Sequence, residues 1–592
     1  MAEKIKAEGS GGLLAPDGAG DAASARREWR RAQGRRTIRE LQGDRHRAPL
    51  LWMVIPFLTG AALERLGGAC PFEHPAAVGA LFSILAIFAS FGRSPLAHAV
   101  WAATHCAAMA IAGLLVLAGR TPAGHRHVPP AYETLRVRVT RMGAPHAAAF
   151  RSRSTQAGSV PHTTRAATGF GAVVPTGEPI AFSLPVQPGE TLPIRGEEVV
   201  LSGRSKPVPA WGGADSYNGY LRGLGIRRQI ESARIRSVSR PASWYARQRE
   251  ALAARMTVLL AMGFGGHPEL AAIYRAMMLG KKDGLTAAQK RLFVRSGTMH
   301  LFAINGLHIG IVAVSAHALL SLLRVRGRAA AVLVLAVLWI DVDSTGAAPS
   351  AVRAFMMVGL LEIGRAAWLP MNSLAAVTGA AALMLALDPT AAFGASFQMS
   401  FGVVAALILL GVPLAAHLRE RWNPYPSLPA STRTLWQRLR AAATEHAATA
   451  AGFSAAAALV SAITGVTYFA AWSPAGIPAN LLLMPLATLV IIAGFSAIVA
   501  GLAHATALTS LFNAAACLLL RAITSALARI VAFPGASFTA HLRAPWIGPA
   551  ALAALLALCL RGYAVEWDEQ RGGWWPPFLA TAAMMIFGVN YG

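Results

Sequence analysis

Charge is what this chain has least of. Only 14% of its 592 residues are Asp, Glu, Lys or Arg, against about 25% in soluble globular proteins, and its mean hydropathy is +0.46. An ordinary set of soluble domains is excluded. Acidic residues are the scarcer sign, 28 against 54 Lys+Arg, leaving a net charge of +26. That imbalance points to anionic lipid, nucleic acid or both. Cysteine is nearly missing: Cys70, Cys106, Cys517 and Cys559 sit in or beside apolar segments. They show neither metal-ligand spacing nor a disulfide framework, so they read as buried small hydrophobes, and no metal or cofactor is expected. The first 30 residues hold no apolar stretch, so no cleavable secretory signal is read there. There is no GxxxxGK[ST] loop to drive transport by nucleotide hydrolysis, and no HExxH pair.

Long apolar runs are abundant, and several reach the ~20 residues that cross a bilayer. Residues 1–49 form a basic tail with nine arginines between Arg26 and Arg47. Lying just before the first apolar run, they read as an anchor holding the N-terminus in the cytoplasm; a nucleic-acid-binding arm is the alternative. Three runs follow within 50–118. Residues 120–245 change character: Pro and Gly multiply, and stretches such as LRVRV at 135–139 and EEVVLSG at 197–203 suggest short, half-exposed strands. They read as a small, basic, external all-β domain. Residues 247–266 fit an interfacial helix. Ten more apolar runs then fill 297–590, within a channel region at 247–533 and C-terminal helices at 534–592. With Arg324, Arg326, Arg328, Arg365 and the 417–446 loop inside and Asp341, Asp343 and Asp388 outside, the positive-inside rule holds for about 13 crossings. The expected fold class is a polytopic α-helical membrane protein with some interrupted helices and a small external β domain.

Polar groups inside these runs are the candidate site, because an unsatisfied polar group in hydrocarbon is costly. SGTMHLFAINGLHIGIVAVS at 296–315 carries His300, Asn305 and His308 among Gly297, Gly306 and Gly310. Asn305–Gly306 is a weak helix former and suggests a break. The three polar side chains either line a translocation path or pack as interhelical glue. In DVDSTGAAPSAVRAFMM at 341–357, Pro349 marks a break or a helix start. Arg353 then lies one turn into an apolar helix, facing either an ion pair with Asp341 or Asp343 or a phosphate. Asp388, Ser396, Gln398 and Ser400 open another span. Pro474, Pro478 and Pro485 bracket Asn480 and suggest an interrupted helix.

Taken together these segments carry a resemblance. GTMHLFAINGLHIGIVA resembles the HLLAISGLHIG signature of ComEC-type competence proteins, the inner-membrane DNA internalisation channels of natural transformation, with Asn305 where the family usually has serine. AMMLGKKDGLTAAQKRLFVRSGTMH looks like the approach to that signature. GAAPSAVRAFMM, the DP and SFQMSFGVV segments and IPANLLLMPL resemble its later segments. GADSYNGYLRGLGI at 213–226 is similar to the end of the family's external OB-like domain. The resemblance covers about 50–530 and rests on the motifs collectively. Many members continue into a metallo-β-lactamase-like domain; here no HxHxDH motif occurs, His125-Arg126-His127 being followed by Val-Pro-Pro. The expectation is therefore a short form without that domain, and not an enzyme.

The resemblance implies transport of single-stranded DNA across a bacterial inner membrane, multi-pass, with the N-terminus cytoplasmic. His300, Asn305, His308, Arg353, Gln398 and Asn480 would line the path. Trp211, Tyr217, Tyr220 and Arg222 would bind DNA on the external domain, although core packing competes for the aromatics. Gly297, Gly306, Pro349 and Asp388 would be structural. Implied partners are single-stranded DNA, membrane lipids, a separate cytoplasmic ATPase, a periplasmic DNA-binding protein, a nuclease and a second copy of the chain. One alternative is a secondary transporter or exporter of a small anionic solute. An intramembrane enzyme using His300 and His308 comes last, because no nucleophile constellation accompanies them.

Overall fold

The computed structural model describes residues 50–592 apart from 66–74, 91–93, 121–130, 144–145, 148–164, 188–189, 210–216, 224, 283, 303–305, 370–372, 566, 568–572 and 592. The basic tail at 1–49, Cys70, Trp211 and Asn305 therefore lie outside the described residues. Three helices come first: α1 (Leu51–Arg65), α2 (Pro75–Ser90) and α3 (Pro95–Arg120). Gly60 and Gly113 let α1 and α3 touch backbone to backbone, since a Cβ at Gly60 would fall 1.7 Å from the Ala110 carbonyl oxygen. Small residues at such crossings are how apolar helices pack in lipid.

The alternating region folds as strands. β1 (Ala131–Met142), β2 (His146–Ala147), β3 (Arg165–Val173), β4 (Pro179–Val186), β5 (Glu198–Pro207) and β6 (Arg228–Arg240) make one sheet in the order β1-β5-β6-β4-β3-β2. β1 also pairs with β3, Val137 opposite Val173, which closes a five-stranded barrel and leaves β2 as an extension. β4 and β6 run parallel and the other pairs antiparallel. Alternate residues point inward, so Val137, Val139, Ile180, Phe182, Leu201 and Ile230 fill the barrel. Helix α4 (Tyr217–Gly223) lies in the β5–β6 connection, with Leu221 buried beside Ala181 and Ile226.

The chain then enters α5 (Trp244–Leu259), capped by the Ser243 hydroxyl, which accepts from the Ala246 N–H. Next come α6 (Pro268–Leu279) and α7 (Ala287–Arg295). Nine of the twelve residues of α6 are buried, so it belongs to the helical core. Asn513, wholly buried, ties this region down: its amide donates to the Leu259 and Met262 carbonyls at 2.8 and 2.9 Å, and its oxygen accepts from Tyr274 at 3.3 Å.

The helical body follows as α8 (Gly306–Leu322), α9 (Gly327–Ser344), α10 (Pro349–Ala366), α11 (Ser373–Leu387), α12 (Ala395–Ala406), a π-turn at Leu407–Gly411, α13 (Val412–Trp422), α14 (Leu435–Phe469), α15 (Gly476–Leu502), α16 (Thr506–Ala532), α17 (Ile547–Val565) and α18 (Trp575–Phe587). Every apolar run read from the sequence contains helix. Six helices among the described residues are long and apolar enough to cross a membrane, and five further apolar ones are 10–17 residues long. The chain is thus a helical membrane protein carrying a five-stranded barrel; these helices do not establish the expected count of about 13 crossings.

Two local expectations are corrected. The run at 297–323 is not one span: Met299–Phe302 is a 3-10 turn and the helix begins at Gly306, so His300 and His308 are not on a continuous helix. Conversely, 476–502 is one helix despite its prolines. Pro478 falls in the first turn, where N–H groups have no intrahelical acceptor, so only Pro485 interrupts the ladder. Among the described cysteines, Cys559 is buried, whereas Cys106 and Cys517 are partly exposed.

Strands β7 (Ala471–Trp472), β8 (Phe538–Leu542) and β9 (Val589–Tyr591) join three helix ends in a small sheet. Two helices separate each strand from the next, so all three return to one face. The barrel is fastened to the helices through Asp343, which is 5% exposed. Arg195, in the β4–β5 connection, donates to it at 2.7 Å, and Tyr245 donates at 2.9 Å. Arg249 lies 3.9 Å away and donates to the Arg195 carbonyl.

Candidate functional site

The helices enclose a cavity of about 5300 Å³. It is lined along α14 from His446 to Phe469, about 34 Å at ~1.5 Å rise per residue. A bilayer's hydrocarbon core is about 30 Å thick. The lining also includes Glu178, Tyr217, Arg222, Arg227 and Arg228 from the barrel and its β5–β6 connection. Residues of the barrel and of the helical body therefore line one space.

His300, His308, Arg353, Gln398 and Asn480 all line this cavity, as do Gly297, Gly306, Tyr217 and Arg222. These residues come from five separate stretches of the chain, brought together by folding. Pro349 is the first residue of α10 and fits there because its missing N–H would be unbonded in any case. Asp388 acts locally, accepting from the Thr390 N–H and hydroxyl at 3.0 and 2.6 Å to start the 3-10 turn Pro389–Phe393. Gly297 has a left-handed backbone (φ 67°), and a Cβ there would press on Ser473 and Gly476 at 3.2–3.3 Å. It lets the segment before the 3-10 turn pack against the start of α15. Tyr217 is exposed and Arg222 half-buried; the side chain of Tyr220 lies outside the described residues.

Arg353 sits at the centre of the site's electrostatics. It is 1% exposed. Its Nη2 donates to the Ser396 hydroxyl at 2.8 Å, and its Nε has no partner among the described residues. The ion pair with Asp341 or Asp343 does not form. Asp343 is taken by Arg195 and Tyr245, and Asp341 lies beside His308, 3.6 Å from its Nε2. Helix α9 carries both carboxylates near its C-terminal end, while Arg353 is turned into the cavity. Gln398 is held on both sides: its amide donates to the Ala392 carbonyl at 3.2 Å and its oxygen accepts from Tyr468 at 2.8 Å. The Asn480 side-chain oxygen is buried without a hydrogen-bond partner among the described residues.

The lining is mostly apolar, and its few charges are predominantly cationic. Arg222, Arg227, Arg228, Lys282 and Arg353 face a single carboxylate, Glu178, which Arg228 already engages at 2.6 Å. That hydrogen bond holds the Arg228 guanidinium above its ordinary range against the opposing effect of burial, and Glu133 adds to it. Tyr245, at the Asp343 clasp, is raised first by burial and then by the carboxylate it donates to. Among the described residues no group of His, Cys, Asp and Glu could hold a metal ion. The arrangement can accommodate an extended anion.

Sequence reading missed Lys282, the Tyr468 prop on Gln398, and the Asp343 clasp. Lys282 and Asp343 stood in plain view as charges, but nothing local says that 195, 245, 249 and 343 converge.

Residues 277–565 match the family described as Competence protein. Over 202 residues the chain is 31% identical to ComE operon protein 3 of Bacillus subtilis (strain 168), a match covering 33% of this chain and 25% of that protein. No solved structure matches significantly. The region so matched contains the 3-10 turn, the helix starting at Gly306, Arg353, Gln398 and Asn480, and the two similarities support a ComEC-type protein.

Proposed function

We propose that the protein conducts single-stranded DNA across the bacterial inner membrane during natural transformation. One observation carries this reading: a cavity of about 5300 Å³, its charged lining mostly cationic, is lined by barrel residues and by α14 from His446 to Phe469. Small-molecule sites occupy about 300–1,000 Å³, so a small anionic solute would leave most of this space unused. A polyanion needs both its length and its charge. The external barrel captures the strand through phosphate neutralisation, with Tyr217, Arg222 and Arg227 at its exit toward the helices. Inside, Arg353 offers guanidinium N–H groups to successive phosphates. His300, His308, Gln398 and Asn480 supply weaker polar contacts that let the strand leave again.

The driving force and the removal of the complementary strand fall to partners, a cytoplasmic ATPase and a nuclease, with a periplasmic DNA-binding protein delivering the substrate. The test is uptake of labelled DNA into the cytoplasm of a host deleted for the gene and complemented with wild type or with Arg353→Ala. Wild type restores internalisation; the variant, although inserted at the same level, does not. Undiminished uptake in the deletion strain refutes the reading. Binding of oligonucleotides to the full chain in nanodiscs should ignore base sequence and fall with a log–log salt slope of about 0.7 per phosphate neutralised.

A further inference from the structure

The small sheet that joins the helix ends presents aromatic rings, of which Trp472 and Tyr591 line the cavity. Trp472 and Phe538 are directly opposite each other across β7 and β8, with ring centroids 5.8 Å apart and an interplanar angle of 23°. Tyr591 pairs with Ala540, two residues beyond Phe538 and hence on the same face of the strand. Its ring lies 6.1 Å from Trp472 and 6.4 Å from Phe538. Its hydroxyl donates to the Met585 carbonyl at 2.9 Å, which fixes the ring's tilt. Trp472, Tyr591 and Trp546 line the cavity, and Trp546 is 64% exposed.

Structural packing does not account for this arrangement well. A ring recruited to a core would be covered, yet Phe538 and Tyr591 are exposed to 39% and 47%. A ring serving only as a membrane-interface anchor would point at lipid, whereas Trp472, Trp546 and Tyr591 face the same space as Arg353 and Arg228. Rings lining the same space as Arg353 and Arg228 match what bases and phosphates of one strand require together.

We infer that Trp472 and Tyr591, backed by Phe538, form a base-stacking platform on the cavity wall. This rests on the DNA-conducting reading and adds a second contact surface to it, apart from the barrel. Its occupant is an unpaired strand, because paired bases present no free π-face to the rings. The platform holds bases while the cavity's cations hold phosphates, so it aligns the strand without selecting sequence.

The experiment compares two probes on the full chain in nanodiscs: a 20-mer of dT and an abasic 20-mer with the same phosphates. Wild type should bind dT about tenfold or more tighter, the scale of one or more stacked bases. Trp472→Ala with Tyr591→Ala should remove most of that difference while leaving abasic binding unchanged. Trp472→Phe with Tyr591→Phe should keep the preference, since both rings remain. Equal binding of dT and abasic strands by wild type overturns the platform and leaves the channel reading intact. An alanine variant that binds dT like wild type, or loses abasic binding in the same proportion, also overturns it. Binding of neither probe by wild type overturns the channel reading itself.

Discussion

Replacing Arg353 with methionine separates a conducting role from a structural one. A guanidinium has five N–H donors. Among the described residues Arg353 spends one on Ser396, leaves Nε unpartnered, and has no carboxylate within 4.0 Å. Its burial is nearly complete, at 1% exposure. Desolvating such a charge costs several kcal/mol, and a hydrogen bond to a charged group returns about 1.5–3 kcal/mol. The balance is unfavourable to folding, so Arg353→Met should leave stability unchanged or raise it by roughly 1–3 kcal/mol. Transport should move the other way. Losing one charge-assisted phosphate contact of about 1.5–3 kcal/mol slows passage by about 10- to 100-fold. The assay pairs thermal unfolding in detergent with entry of labelled single strands into the cytoplasm, normalised to inserted protein. An Arg353→Met protein that unfolds several degrees lower, with transport reduced only in proportion to the folded fraction, would refute the argument. Arg353 would then be a structural ion.

Three further outcomes follow from the packing. Asp343→Asn leaves Arg195 and Arg249 without their carboxylate; it should cost about 1.5–3 kcal/mol and expose the barrel–helix junction to limited proteolysis, read by the appearance of cleaved barrel fragments. Asn513→Leu removes three hydrogen bonds and leaves the Leu259 and Met262 carbonyls without its amide, so thermal stability should fall by about 3 kcal/mol. Glu198 is held below the usual carboxylate range, first by its hydrogen bond from Arg138 and then by the charges of Arg138, Arg240 and Arg136. A depressed carboxyl stabilises above its unfolded pKa and loses that contribution as pH falls through the folded value. The barrel should therefore weaken only on acidification below about pH 4, and Glu198→Gln should flatten that part of the pH–melting curve.

Much of the architecture was legible from hydropathy because lipid and water impose different sequence periods. An apolar run of about 20 residues can satisfy its backbone in hydrocarbon only as a helix. A strand with one face in a core must alternate, as LRVRV does along β1. The boundary between barrel and helices, the arginine at 353 and the histidines at 300 and 308 stood out for the same reason: each is a polar residue type where the solvent should be apolar. Local rules failed where the outcome depends on position within a turn. The prolines around Asn480 suggested a break, yet Pro478 falls where a helix has no bond to lose. At 296–315 the weak helix former Asn305–Gly306 suggested a break but not the 3-10 turn that precedes it, with Gly297 packed against Ser473 and Gly476.

Sequence by itself determined that the chain is a membrane protein of helices with one basic β domain, and which polar groups are out of place in it. Composition and period are properties of each segment alone, and the solvent reads them segment by segment. Tertiary structure alone decided partnership. Asp343 and Arg353 are ten residues apart, but helix rotation gives one to Arg195 and turns the other into the cavity beside Ser396. Trp472, Phe538 and Tyr591 are separated by whole helices, and only the closing of three helix ends into one sheet brings their rings together. Contacts of that kind depend on the mutual orientation of distant segments, which no local pattern encodes.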